Sequence, residues 1–388
     1  MTLPAPCHPT ATMTDDALRQ IDDLRTLFID DVPLLDVRAP VEFAEGAFPT
    51  AENQPLIDDA ERHAIGIAYK DRGQDAAIAL GNHLVRGEDR ERRIANWSNF
   101  MRRHPDGVLY CFRGGMRSQI SQRWLYEHAG IACPRVRGGY KAMRRFLLDE
   151  LERNSAVARP VVVGGRTGVG KTRLLARYTS AIDLERLAHH RGSAFGHHPQ
   201  PQPSQISFEN ALSIALLKRV AAANGPFLVE DESRNIGGRH VPPAFYDAMQ
   251  RAPVVLIEAS ENERIEITLQ EYVTDALAEF VAEYGTTRGF DEWAAYLNSS
   301  LDRIRRRLGG DRHAEVKDML ARALHRHAQS GEIDSHRAWI DYLLREYYDG
   351  MYNYQLDSKQ NRVVFRGPAA QIVRYLEEHH GLTPQIPT

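Results

Sequence analysis

The 388-residue chain sets 49 Lys and Arg against 52 Asp and Glu, for a net charge of −3, and is 43% hydrophobic and 26% charged. That composition excludes a disordered chain and a global basic field for nucleic acid, so any RNA contact must be local. The length predicts two or three domains, no apolar run approaches the roughly 18 residues of a membrane span, and so few cysteines point to a reducing cytosol rather than a disulfide framework.

Residues 1–13 read as a disordered lead-in, with no basic region before an apolar core and hence no secretion signal. Residues 15–28 place Ala17, Leu18, Ile21, Leu24 and Phe28 on one helical face started by Thr14 and two aspartates. A short strand follows at 33–38 (PLLDVR), then helices over about 58–103, ending at His104-Pro105-Asp106-Gly107. The strand GVLYCF runs into the loop CFRGGMRS, and a helix from Ser118 to His128 closes at Gly130. Strand, anion loop, helix is the order of an α/β domain with its site at the carboxyl end of the sheet.

After Gly138-Gly139 a basic helix, YKAMRRFLLDELERN, leads into a second α/β domain. Its strands are expected at 160–163, 227–231 and 253–258. From about 260 the pattern is helical, with breaks at Gly285, Gly309-Gly310 and Gly350. The expected layout is therefore a first domain over 14–138, a connecting helix over 139–158, a phosphate-loop domain over 159–285 and a helical region over 286–388.

In CFRGGMRS, tight glycines after Cys111 let successive backbone amides point inward, which favours a thiolate and cradles an anion. Arg117 is placed to clamp a tetrahedral oxyanion, with Arg113 beside it. Cys7 and Cys133 lack such surroundings and read as incidental. The spacing satisfies the Cys-x5-Arg pattern of cysteine phosphatases. However, Asp36-Val37-Arg38, Glu42-Phe43, Gly46, Pro49 and Asn53 resemble the rhodanese signature, and Tyr110 stands where a phosphatase has histidine. Sulfurtransferase-type chemistry is favoured. A loop longer than the usual rhodanese one suits a bulkier donor, such as a phosphate carrying the chalcogen.

The second loop, GRTGVGKT, carries Gly165, Gly168, Gly170, Lys171 and Thr172 after a β-branched strand, which is the context a phosphate loop requires. Lys171 would neutralise phosphates, and Thr172 would hold Mg²⁺, supported by Glu230 or Asp231 at the end of the next strand. No base-reading Asn-Lys-x-Asp follows, so a pyrophosphate on some other substrate fits as well as a nucleotide. The alternatives open at this point are a sulfurtransferase or phosphatase with a regulatory nucleotide domain, and a nucleotide switch.

YCFRGGMRSQ, GGYKAMR, GGRTGVGKT, QPSQISFEN, VEDESRNIG and YYDGMYNY together resemble the bacterial tRNA 2-selenouridine synthases, over about residues 14–380, with Gly350 replacing a typical proline. The resemblance implies a rhodanese-like domain fused to a P-loop NTPase-like parallel-sheet domain, with a mainly helical C-terminal region. It implies a cytoplasmic selenotransferase with no membrane association. In this scheme wobble 2-thiouridine in the tRNA anticodon region is S-geranylated from geranyl diphosphate, then converted to 2-selenouridine with selenophosphate. Cys111 would carry selenium as an S-selanyl adduct, and the phosphate loop would hold the prenyl diphosphate with Mg²⁺.

The segment HRGSAFGHHPQPQPSQ reads as a substrate loop, with Gln202, Gln205 and Arg234 implied there, and its histidines lack the ligands of a structural metal site. Expected RNA contacts are Lys141, Arg144 and Arg145, the cluster Arg303, Arg305, Arg306 and Arg307, and the tyrosines 347, 348, 352 and 354, of which Tyr352 is favoured for stacking.

Overall fold

The computed structural model describes residues 18–223, 225–352 and 360–385. The expected lead-in, Thr14, Ala17 and Tyr354 lie outside the described residues. Two compact units divide at Glu150 and Leu151, each with a parallel sheet.

In the first unit β1 (Gln20–Ile21), α1 (Leu24–Ile29), β2 (Leu34–Asp36), α2 (Pro40–Glu45), β3 (Ala51–Asn53), α3 (Asp59–Leu84), α4 (Glu88–Arg103), β4 (Val108–Tyr110), α5 (Met116–Ala129) and β5 (Arg135–Val136) follow in order. The strand order is β1-β5-β4-β2-β3, parallel throughout, so β2 and β4 end side by side, with Asp36 opposite Tyr110. Leu34, Leu35, Val108, Leu109 and Tyr110 are all buried, as expected of strands covered on both faces. Asp58 and Glu61 cap α3 reciprocally, and Gly73 interrupts that helix at a φ of 83°. Left-handed Gly130 ends α5.

One expected element is corrected here. The 15–28 stretch is not one helix, because Ile21 pairs with Val136 in the sheet. The helix starts only where Asp23 accepts the Thr26 N–H at 3.0 Å.

The division between the units falls within α6 (Gly139–Val157). The second unit continues with β6 (Pro160–Gly164), α7 (Lys171–Leu175), α8 (Leu184–Ala188), α9 (Gln205–Ala223), β7 (Phe227–Glu230), β8 (Asn235–Ile236), β9 (Arg239–His240), α10 (Pro243–Arg251) and β10 (Val254–Ile257). Then come α11 (Glu261–Leu269), a π-helical turn (Gln270–Asp275), α12 (Ala276–Tyr284), α13 (Thr286–Leu308), α14 (Gly310–Ser330), α15 (Arg337–Leu343), β11 (Val363–Gly367) and α16 (Ala369–His380). The four-stranded sheet is ordered β11-β10-β6-β7 and is parallel.

The 286–388 region is thus not helical throughout: β11 joins the phosphate-loop sheet beside β10. Its burial alternates along an edge strand, a short period-two signal beside long helical ones. Gly350 does not break its helix, whereas Gly285 and Gly309, at φ of 81° and 95°, do separate helices. On α13 the buried Trp293, Leu297, Leu301, Ile304 and Leu308 recur every three or four residues and face a helical core with Val316, Leu320, Trp339 and Leu343. Each such side chain contributes about 1.5–3 kcal/mol on burial. Among the described residues no helix is long and apolar enough to cross a membrane.

Candidate active-site loops

Cys111 follows β4 directly and is only 3% exposed. Its Sγ lies 3.3 Å from Ser118 Oγ, which donates to the Gly115 carbonyl at 2.8 Å. The loop is held from outside. Tyr140 N–H donates to the Cys111 carbonyl at 2.9 Å, Lys141 N–H to that of Phe112 at 3.0 Å, and Arg135 to that of Gly114 at 2.8 Å. A Cβ on Gly139 would sit 2.1 Å from the Cys111 oxygen, so the backbone approaches as only glycine permits. The GGYKAMR stretch is therefore first of all the support of the cysteine loop.

Arg117 is already engaged: it grips Glu42 with two nitrogens, at 2.5 and 3.0 Å. Burial opposes charge on Glu42, but Arg117 and the Ala39 N–H outweigh it and hold the carboxyl below its usual range. A buried carboxylate demands a cation, and Arg117, expected as an oxyanion clamp, supplies it here. Arg113 is exposed, beside Phe112. The Asp36-Val37-Arg38 signature also serves as scaffold. Arg38 pairs with Asp36 at 2.6 Å, donates to the Gly46 carbonyl at 2.7 Å, and stacks 3.9 Å above the Tyr140 ring centroid. Tyr110 donates to Asp36 at 2.6 Å, and Asn53 donates to the Asp36 and Arg38 carbonyls. Cys133 is buried in the same core cluster as Cys111, and burial pushes its thiol up to about 12.

In the second unit the phosphate loop joins the end of β6 to α7. Gly165, Gly168 and Gly170 all take positive φ, and a Cβ on Gly168 would sit 2.7 Å from the Arg264 carbonyl. Lys171 Nζ folds back to the Gly165 carbonyl at 3.1 Å, and Thr172 Oγ1 donates to Glu185 at 3.0 Å.

A cavity of about 720 Å³ opens over the loop. Asp231 and Glu232, which follow the end of β7, line it, and Glu230, the last residue of the strand, does not. Glu230 instead accepts the Leu184 N–H at 2.9 Å, fully buried, with burial and then Asp183 pushing its carboxyl well up. Glu185 and Glu271, which no sequence motif announces, also line the cavity, and burial raises both.

A domain model described as tRNA 2-selenouridine synthase AAA domain matches residues 158–382. The tRNA 2-selenouridine synthase of Bordetella bronchiseptica is 54% identical over 91% of this chain and 96% of its own length. Those of Bordetella petrii and Cupriavidus necator are each 52% identical over 92% of this chain, covering 96% and 97% of their own lengths. The chain belongs to the tRNA 2-selenouridine synthase family. A solved N-terminal domain of a putative ATP/GTP binding protein from Clostridium difficile 630 is 31% identical and covers 33% of this chain and 98% of that one. Its TM-score of 0.29 is too low to inform the fold.

The remaining expected residues of this family member fall in three places. Arg303, Arg306 and Arg307, exposed at the end of α13, line the phosphate-loop cavity, and Arg305, also exposed, is outside that lining. Arg303 is further committed to the Ala194 carbonyl at 3.0 Å and to Ser300 at 2.7 Å. Tyr352 lines the same cavity, while Tyr347 and Tyr348 reach it from the helical core. Lys141 and Arg145 lie exposed on α6, Arg145 being 3.9 Å from Asp149, and Arg144 is half-buried.

Gln202 and Gln205 do not reach the cavity. Gln202 bridges the Ala188 and Ile236 carbonyls and the Gly238 N–H, and Gln205 bridges both backbone groups of His240. Side-chain amides with two-way bonding are suited to stapling irregular backbone, and that is their place here. Arg234 is exposed near the Tyr246 ring.

Proposed function

We propose that this chain carries out the reaction for which its family is named, placing selenium at C2 of a tRNA wobble 2-thiouridine. The first unit, rhodanese-like in its parallel sheet and its Asp36-Val37-Arg38 signature, holds selenophosphate at the Cys111 loop, and its selenium passes at the selenide level to C2. The second unit binds geranyl diphosphate at the phosphate loop and alkylates the uridine sulfur. In the exchange the C2–S bond breaks and a C2–Se bond forms. Sulfur leaves with its isoprenoid as a thiol, and selenophosphate, with one water, ends as phosphate.

The observation that carries this reading is the phosphate-loop cavity, where Lys171, Arg306 and Arg307 converge with Tyr352 and Met351. Cations offer a diphosphate its contacts, and the aromatic and thioether side chains suit an apolar tail. The same cavity fits Mg²⁺. Thr172, Asp231, Glu185 and Glu232 supply oxygen donors, and the Glu185 and Glu232 carboxylates, both raised first by burial, suit a divalent cation. Bound there, the ion would stabilise charge on the departing diphosphate. Lys171 would meet the phosphates by leaving the Gly165 carbonyl, and Thr172 and Glu185 would orient the ion's shell. Local cations, Lys141, Arg144 and Arg145 among them, would hold tRNA.

The test is nucleoside mass spectrometry of tRNA from a strain lacking its own synthase and expressing this chain. Appearance of 2-selenouridine is the expected result. Its absence with soluble protein and selenophosphate present would overturn the reading.

A further inference from the structure

The first unit encloses an apolar cavity of about 500 Å³ between α3 and α5, lined by Ile65, Ala77, Ile78, Ile120 and Trp124. It adjoins the thiol loop: Met116 and Arg117 belong to its wall, and they follow Gly115, whose carbonyl lies 3.9 Å from Cys111 Sγ. We propose that this cavity receives the isoprenoid chain carried on the uridine sulfur, so that the S-alkylated tRNA intermediate is held with C2 beside the cysteine loop. The inference rests on the reading above that alkylation precedes selenium transfer.

Three features favour this occupant. The volume lies in the range of small-ligand sites, room enough for a branched ten-carbon chain and far too little for a protein partner. The charge balance excludes the diphosphate donor itself, because the two arginines on the wall, Arg62 and Arg117, are both engaged by Glu42, at 3.4 and 2.5 Å. A neutral thioether tail has no such requirement. Finally, α3 leaves the space open at a cost to its own propensity. A Cβ on Gly66 would meet nothing within 4 Å, and one on Gly81 only Ile65 Cδ1 at 3.5 Å, so neither glycine is required by packing or by its φ. Glycine inside a helix is unfavourable, and here its gain is empty volume.

The test uses the full-length protein, selenophosphate and anticodon stem-loop RNAs carrying S-methyl-, S-dimethylallyl- or S-geranyl-2-thiouridine. Each buried methylene strengthens binding about fourfold, so wild type should bind and convert the geranyl RNA at least about tenfold better than the methyl RNA at subsaturating concentration. Gly81→Leu fills the cavity without a backbone penalty. It should abolish most of that preference while converting the methyl RNA at the wild-type rate. Equal handling of all chain lengths by wild type overturns the proposal, as does an intact geranyl preference in folded Gly81→Leu. Equal handling by wild type overturns the proposal even if the variant fails to fold. Failure of wild type to convert any of the RNAs would instead bring down the reading of the function itself, and this inference with it.

Discussion

Arg264 and Asp349 form a two-pronged ion pair at 3.0 and 2.6 Å, and Arg264 Nε also donates to the Thr167 carbonyl inside the phosphate loop. A residue of the YYDGMYNY segment thereby fixes the loop through a guanidinium that is 3% exposed, with Arg166 of the loop 3.3 Å from the same carboxylate. Asp349→Asn should cost about 1.5–3 kcal/mol in urea unfolding, since it leaves a buried cation without its countercharge. Asp149→Asn, which removes an exposed partner of Arg145, should change stability by no more than about 0.5 kcal/mol.

Cys111→Ser should fold, because the hydroxyl replaces a thiol whose partner is the Ser118 hydroxyl. Nucleoside analysis should show 2-selenouridine lost and S-geranyl-2-thiouridine retained or raised. Normal selenouridine in this variant would remove Cys111 from the reaction.

Lys171→Ala should weaken geranyl diphosphate binding roughly ten- to a hundredfold, the value of one charge-assisted phosphate contact, as read by calorimetry. Arg306→Ala with Arg307→Ala should weaken it further if both cavity arginines meet the diphosphate. Every RNA phosphate that these arginines cease to neutralise would flatten the log–log salt dependence of tRNA binding by about 0.7–0.9. An unchanged salt slope alongside poor diphosphate binding would assign these arginines to the small-molecule substrate alone.

His336 is fully buried, and burial, followed by the neighbouring His327, lowers its value from 6.5 to about 4. Its Nδ1 accepts from Trp339 Nε1 at 3.0 Å, a bond that protonation of that nitrogen removes. Because the unfolded chain binds this proton more readily, stability should fall as pH drops from about 6.5 towards 4. Urea midpoints at pH 7.5 and 5 measure that loss, and the gap between them should narrow in His336→Gln.

The two loops were legible because their chemistry is written in adjacent residues. Cys111 to Ser118 and Gly165 to Thr172 need only a strand before and a helix after, and both have them. The two ends of α13 were equally plain, at Gly285 and at Gly309. What stayed hidden depends on long-range meetings. Glu185, Glu271 and Arg264 reach the phosphate loop from elements with no motif of their own. Which of Glu230 and Asp231 faces the cavity turns on where β7 ends, which composition does not fix. Gln202 and Gln205 looked like substrate residues because their segment is polar and proline-rich, yet such backbone needs side chains to satisfy it.

The placement of β11 bears on how the chain is made. Val363 pairs with Val254, so β10 must wait for a neighbour translated about a hundred residues later. On a ribosome, β6, β7 and β10 emerge with one sheet edge bare through the synthesis of the whole helical stretch, an interval in which an unpaired parallel strand is open to misassociation. The first unit, whose strands all lie before Gly139, carries no such delay and can close while the second is still being synthesised.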